Sequence, residues 1–224
     1  MTADKVLVER TPTGLHPALT PHLRQFRRNV PVLDLGCGTG AWIVRLADEG
    51  FTDLTGVDAD GSQFGATRAR LLVADLNRDK LDIPPAHFGL VTAIEVLEHL
   101  ENPGHFFGLI KRHLAPDGTC LITTPNVQSL NCRVRYFLTG RLPAFDDKGE
   151  PTHIHPVVLS CLERMLAGHG LEIRKRWTFP ERRTTWFGRP VRLASAAARL
   201  VLGDPLPGDI LCLKITHSGQ AVSR

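Results

Sequence analysis

Three glycines at alternate positions, Gly36, Gly38 and Gly40, follow the apolar run Val30–Leu35 and precede a segment with helical spacing. A glycine-rich turn between a strand and a helix lets the backbone approach a ligand closely, and the helix N-terminus offers it unpaired N–H groups. Here the spacing is G-x-G-x-G with Asp34 ahead of it, whereas dinucleotide sites tend towards G-x-G-x-x-G. Asp58, eighteen positions after Gly40, ends a second apolar run, where a carboxylate can accept from both hydroxyls of a ribose. Asp75 ends a third run, where it can accept from an adenine amino group or cap a turn. A different chemistry is carried by Glu95, Glu98 and His99 in the run EVLEHL. If the chain is helical there, positions i, i+3 and i+4 share a face, and two carboxylates with an imidazole make half of a metal site. His153 or His155 in the run THIHP offers a fourth ligand. The same residues have plainer readings: Glu98 as a helix N-terminal charge, His99 as a general base without metal, and His153 and His155 as surface side chains.

These residues need elements to position them. Short apolar runs alternate with longer segments of helical spacing, which predicts strands joined by helical crossovers and hence a parallel sheet covered on both faces. Strands are expected at Val30–Leu35, Asp53–Val57, Arg70–Ala74, Phe88–Ile94, Thr119–Thr123, Leu171–Trp177 and Ile210–Thr216. Helices are expected at Ala41–Glu49, Asn102–Leu114 and Val157–Gly168, with a turn at Pro116-Asp117-Gly118. Residues 1–29 read as an N-terminal helical cap on a single domain. Residues 125–156 and 178–209 interrupt the rhythm and are expected to shape the substrate side, the second with an apolar, Arg-bearing helix at Pro190–Leu202.

The 224 residues suit one globular domain, with 42% hydrophobic and 22% charged residues. The net charge of +4 comes mostly from a late stretch in which Arg174, Lys175, Arg176, Arg182, Arg183, Arg189, Arg192 and Arg199 face only Glu172 and Glu181. It is either a solvated basic face or a surface for a phosphate-bearing substrate, anionic lipid or nucleic acid. Five scattered cysteines with no C-x-x-C pair suit a reducing compartment. The N-terminus lacks the apolar core of a signal peptide, and the longest apolar run, near Leu193–Leu202, is too short to span a bilayer. The expected location is therefore cytoplasmic, or peripheral on the inner membrane face.

Taken in order, VLDLGCGTG, TGVDAD, LLVADL, FGLVTAIEVLEHL and PDGTCLITTPN resemble the successive motifs of class I S-adenosylmethionine-dependent methyltransferases over about residues 30–126. That resemblance implies an α/β Rossmann-like fold: a seven-stranded, mostly parallel sheet with an antiparallel last strand and helices on both faces. It implies S-adenosylmethionine as cofactor, with Asp34 near its amino end and Gly36, Cys37, Gly38 and Gly40 around its methionine and ribose portions. Asp58 would hold the ribose, Asp75 and Leu76 the adenine, and Ile94 would lie beside the sulfonium. EVLEHL followed by TPN and THIHP also resembles the ubiquinone-biosynthesis O-methyltransferases and the small-RNA 3′-terminal 2′-O-methyltransferases. This implies Glu95, Glu98, His99 and His153 as ligands of Mg or Zn, with His155 as the alternative fourth, and His99 and Glu98 as catalytic groups.

The expected activity is O-methylation of a small or lipid-linked hydroxylated acceptor, assisted by a divalent metal. Peripheral contact with an anionic membrane would involve Arg133, Arg135, Tyr136, Arg141 and the late arginines. RNA ribose methylation is the alternative, weakened by the absence of an appended RNA-binding module and by the modest charge. A nicotinamide oxidoreductase lacks any hydride-transfer site, and a binding-only protein sits poorly with an intact EVLEH. The oligomeric state carries no signal in the sequence.

Overall fold

The structure is a computed structural model that describes residues 7–180 and 206–219, with the backbone alone of 185–186 and 189–190. A seven-stranded sheet forms from β1 (Val32–Leu35), β2 (Leu54–Asp58), β3 (Arg70–Val73), β4 (Phe88–Ile94), β5 (Leu114–Pro125), β6 (Leu171–Phe179) and β7 (Ile210–His217). Their spatial order is β3-β2-β1-β4-β5-β7-β6. Pairs among β1 to β5 are parallel, and β7 runs antiparallel to both β5 and β6. The central strands are buried throughout except at Gly89, as expected where both faces of a parallel sheet are covered.

On one face, Leu33 and Leu35 of β1 pack with Phe106, Phe107 and Ile110 of α3 (Pro103–His113) and Leu162 and Leu166 of α5 (Leu159–Gly168). On the other, Val32 and Leu90 meet Leu15 and Leu19 of α1 (Leu15–Leu19) and Trp42, Ile43 and Leu46 of α2 (Ala41–Asp48). Helix α3 starts where it does because Asn102 accepts from the His105 N–H and Pro103 occupies the first position. The first insertion contributes α4 (Leu130–Thr139), capped by Ser129, with Cys132 as its buried residue. No helix among the described residues is long and apolar enough to cross a membrane. The second insertion is described only at its two ends and in a two-residue antiparallel ladder, Thr185–Trp186 with Arg189–Pro190. Beyond Pro190, the helix expected over Pro190–Leu202 lies outside the described residues.

Two local expectations are corrected. Pro116–Gly118 is not a turn before β5 but a bulge within it: Leu114 pairs with Phe88 and Thr119 with Leu90, so five steps of one strand oppose two of the other. Gly118 makes this feasible, because a Cβ there would lie 2.8 Å from the Phe88 carbonyl oxygen. EVLEHL is not α-helical either. Glu95 has φ +55, and Leu97–His99 is a single 3₁₀ turn. A left-handed residue stops a helix from carrying on out of β4.

The sheet order reverses between β1 and β4, which opens a crevice at their C-terminal ends. At the tip of β1 the Gly36 and Cys37 N–H groups both donate to the Val57 carbonyl, at 2.8 and 3.0 Å. Gly36 has φ +74, and a Cβ on it would lie 2.5 Å from Cγ2 of Val96. Gly36→Ala should therefore destabilise the fold by about 3 kcal/mol or more, from backbone strain and overpacking together. In thermal unfolding this is a Tm lower by roughly 6–12 °C; an unchanged Tm would contradict the close packing.

Just before that turn, fully buried Asp34 accepts from the Thr92 hydroxyl at 2.6 Å, and burial pushes its pKa up to about 7. A carboxyl whose folded pKa is raised holds its proton in the native state after the unfolded chain has lost it. Stability is therefore lost as pH rises from about 4 to about 7, on the order of 4 kcal/mol in all. Asp34→Asn keeps an acceptor for Thr92 without the charge, so its gain in Tm for the ligand-free protein should be larger at pH 8 than at pH 5. Equal shifts at both pH values would show that Asp34 titrates as an ordinary carboxylate.

Candidate active site

The crevice is a cleft of about 920 Å³ that runs without a break from the tips of β1 and β2 to the segment after β4. Asp34, Gly36, Cys37, Gly38, Asp58, Asp75, Leu76 and Ile94 all line it. Gly40 does not. It sits at the N-cap of α2, packed against Ala66, and shapes the turn from behind. Asp58 accepts from the Gly38 N–H at 2.7 Å through Oδ2 and from the Asp60 N–H at 3.0 Å through Oδ1. A carboxylate has about four acceptor positions, so each oxygen retains one for vicinal hydroxyls in the cleft. Asp75 combines both of its readings: it lines the cleft and also caps a turn, with Oδ1 accepting from the Asn77 N–H at 2.9 Å. That N–H holds its carboxyl below the usual range. Cys37 is packed under Gly56, and burial pushes its thiol up, so it is a packing group rather than a nucleophile.

The N-terminal segment also enters the cleft, through Val8, Arg10, Thr11, Pro12 and His16. The Thr39 hydroxyl donates to the Val8 carbonyl at 3.0 Å and ties this segment to the glycine turn. His16 is buried against Trp42, with ring centroids 5.1 Å apart and Nδ1 3.3 Å from a Glu9 carboxylate oxygen. Burial lowers its pKa despite Glu9. No sequence reading found these residues, because they precede every motif and carry no spacing of their own.

Beyond Ile94 the character of the cleft changes. Glu98, His99 and His153 bring ligand atoms within 4.8 Å of one another, although His153 lies 55 positions after Glu98 and 54 after His99. The Glu98 backbone carbonyl accepts from the Ile154 and His155 N–H groups, both at 2.9 Å, which seats the 150–156 loop over the 3₁₀ turn. Each histidine is oriented from behind. Nδ1 of His99 is 3.1 Å from the Thr152 carbonyl, and Nδ1 of His153 is 2.9 Å from the Ala144 carbonyl. With Nδ1 donating to a carbonyl, Nε2 keeps its lone pair for a metal or a proton.

Glu98 is fully buried, and neither of its carboxylate oxygens has a hydrogen-bond partner. Burial, then the charge of Glu95, raises its pKa well above the ordinary value. Burial, with the neighbouring His153, lowers that of His99. A buried carboxylate without donors is unfavourable unless a cation or proton accompanies it. One carboxylate and two imidazoles suit a divalent cation of the zinc or manganese type, with coordination positions left open.

Glu95 and His155 stand outside this cluster. Glu95 turns back to β5, where it accepts from the Thr123 hydroxyl at 2.8 Å, and burial lifts its pKa to about 7. Its left-handed backbone is what sends the two glutamates in different directions. His155 is half-buried and bound through its backbone N–H. In the first insertion Arg135 pairs with the nearly buried Asp146 and Arg141 with exposed Asp147.

Comparison with known proteins places this architecture. A family model described as a methyltransferase domain matches residues 9–176. The ubiquinone biosynthesis O-methyltransferase of Rickettsia akari is 28% identical over 175 residues, covering 70% of this chain and 64% of its own length. That of Rickettsia conorii is 28% identical over 162 residues, covering 64% of this chain and 52% of its own length. The chain thus spans less than two thirds of these relatives. Among solved structures, an S-adenosylmethionine-dependent methyltransferase from Mesorhizobium loti superposes with a TM-score of 0.59 at 18% identity, over 89% of this chain and 95% of its own, which is a likeness of fold. With the family model spanning most of the chain and a glycine turn and Asp58 at the switch point, this protein belongs to the methyltransferase-domain family, as a class I S-adenosylmethionine-dependent methyltransferase.

Proposed function

We propose that the chain transfers a methyl group to the hydroxyl oxygen of a small or lipid-linked acceptor, at the end of the cleft marked by Glu98, His99 and His153. The observation that carries this reading is the Glu98 carboxylate, fully buried with only the Thr124 hydroxyl near it and no hydrogen bond of good geometry, beside two imidazoles whose Nδ1 atoms are turned to backbone carbonyls. Methylation at oxygen needs the acceptor to lose its proton, and this is the group of residues suited to that task. The relatives from Rickettsia, named as O-methyltransferases, support the same reading.

S-adenosylmethionine, when bound, supplies a methyl carbon already activated by its sulfonium sulfur. The protein's own work is therefore alignment and exclusion of water. Asp58 presents two acceptor oxygens to the ribose, and Asp75 and Leu76 line the adenine end. Asp34, beneath the glycine turn, is at the amino end. The buried Ile94 keeps the path to the acceptor end apolar. Without a cation in the cluster, His99, with its pKa lowered by burial and oriented by the Thr152 carbonyl, is the residue to take the acceptor proton on Nε2; with a cation bound, that Nε2 is a ligand instead. A divalent cation, Zn or Mg, bound by Glu98, His99 and His153 would supply positive charge that makes that hydroxyl more acidic. Two nitrogen donors favour Zn over Mg in this set.

The acceptor side supports an apolar or lipid-linked molecule. A second cavity of about 430 Å³, lined by Tyr136, Leu142, Phe145 and Ile154 among others, shares His153 with the main cleft. On α4 beside it, Tyr136, Phe137 and Leu138 are exposed, Phe137 at 87%. Contact with an anionic membrane, at the inner face of a cytoplasmic membrane, fits such a surface.

The test is methyl transfer to a catechol and to its prenylated analogue. Glu98→Gln and His99→Ala should each lower kcat/KM by about 100-fold or more, with S-adenosylhomocysteine affinity within about threefold of wild type by calorimetry. A chelator should reduce wild-type activity and added Zn or Mn restore it. Full activity in both variants would remove the cluster from the chemistry. Cofactor binding with no turnover on any hydroxylated acceptor, RNA 3′ ends included, would favour a binding-only protein.

A further inference from the structure

Away from the cleft, and sharing no lining residue with it, a pocket of about 290 Å³ opens on the sheet face over β5, β7 and β6. Its floor is one row across three strands: Leu121 is opposite Lys214, and Lys214 is opposite Lys175. Thr119 and Trp177, each two residues along its own strand, point to the same side. Elsewhere this face is core, holding Leu121, Ile210 and Cys212, so the two lysines interrupt an apolar surface. Arg24 stands on the facing segment beyond the Thr20–Leu23 turn.

Like charges directly opposite on neighbouring strands destabilise a sheet. Their usual remedy is a carboxylate, and among the described residues none lines this pocket. The contrast lies in the same strand: Arg174 pairs with Glu172 at 2.8 Å and Arg176 with Glu163 at 3.8 Å. Burial, and then Lys175, lowers the pKa of Lys214.

The site is also built rather than loose. Lys214 Nζ donates to Oε1 of Gln25 at 2.7 Å, which uses one of its three N–H groups and orients the other two. Lys175 Nζ lies 5.6 Å from the centre of the Trp177 ring. The His22 ring stacks on Trp177 with centroids 4.2 Å apart and 29° between planes, forming a flat wall. We propose that this pocket binds a phosphate group, held by Lys175, Lys214 and Arg24 against the Trp177–His22 wall. A phosphate offers the charge and the several acceptor oxygens that three cations lining one pocket call for. The inference is independent of the acceptor assigned above. The phosphate could be that of a soluble molecule or of a lipid headgroup, and the chemistry is the same for both.

The full chain, titrated with inorganic phosphate at low ionic strength by calorimetry, should bind it saturably. Lys175→Met, Lys214→Met and Arg24→Ala should each weaken binding by about fivefold or more, roughly 1 kcal/mol. Lys148→Met, on an exposed loop outside the pocket, should leave it unchanged. Retained S-adenosylhomocysteine affinity identifies the variants that are folded, and the surface residue Arg24 keeps the test open if a strand variant is not. In thermal unfolding without phosphate, Lys214→Met should raise Tm, because the like-charge pair is relieved, and phosphate should no longer raise it further. Vesicles of phosphatidylcholine with and without phosphatidic acid separate the two sources. Binding that needs phosphatidic acid and both lysines, without saturable uptake of free phosphate, assigns a lipid headgroup. If phosphate and vesicles act equally on wild type and variants, or on neither, the proposal fails.

Discussion

The contact between Gly36 and Val96 is what the two halves of the cleft have in common. Gly36 belongs to the glycine turn that lines the cleft, and Val96 opens the 3₁₀ turn that carries Glu98 and His99. The valine methyl occupies the volume that any side chain at position 36 would need. The turn is pinned by two N–H bonds to the Val57 carbonyl and one from Gly38 to Asp58. Any shift at the tip of β2 therefore moves the acceptor end as well. Methyl transfer needs donor and acceptor held in line at about 3 Å, and packing of this kind supplies alignment without a flexible intermediary.

Electrostatically the cleft is under tension. Asp34 and Glu98 are buried and Glu95 is half-buried, all three have raised pKa values, and no arginine or lysine is paired with them among the described residues. A structure optimised only for stability would not gather two such carboxyls on the lining of one crevice and a third behind it. The positive sulfonium and amino group of the cofactor near Asp34, and a cation near Glu98, would offset them. The two imidazoles beside Glu98 are both oriented by backbone carbonyls, through Thr152 and Ala144.

Much of the fold was legible because a doubly covered parallel sheet writes its strands as short apolar runs, and the acids that end them mark the ligand side. Asp58 and Asp75 were found that way. The reading failed where backbone conformation departs from periodicity. EVLEHL has helical spacing, yet the left-handed Glu95 turns its own carboxylate to Thr123 and leaves Glu98 and His99 to meet His153. Pro116–Gly118 has turn composition, yet a bulge absorbs it within β5. Tertiary pairing overrode local preference in both places. His153 was separated from His155 only by the two N–H bonds that seat its loop on Glu98, a long-range fact with no local signature. His16 and the segment before it entered the cleft unannounced for the same reason.

The account turns on whether Glu98, His99 and His153 form a cation site at the acceptor end of a methyl-transfer cleft. Crystals grown with S-adenosylhomocysteine and manganese or zinc, measured at the metal's absorption edge, test this directly. The account predicts one anomalous peak among the Glu98 carboxylate and the Nε2 atoms of His99 and His153, with Glu95 still bound to Thr123 and the cofactor ribose on Asp58. A cleft holding the cofactor but with no anomalous peak at saturating metal, or a peak ligated by Glu95 or His155 in place of these groups, would contradict it.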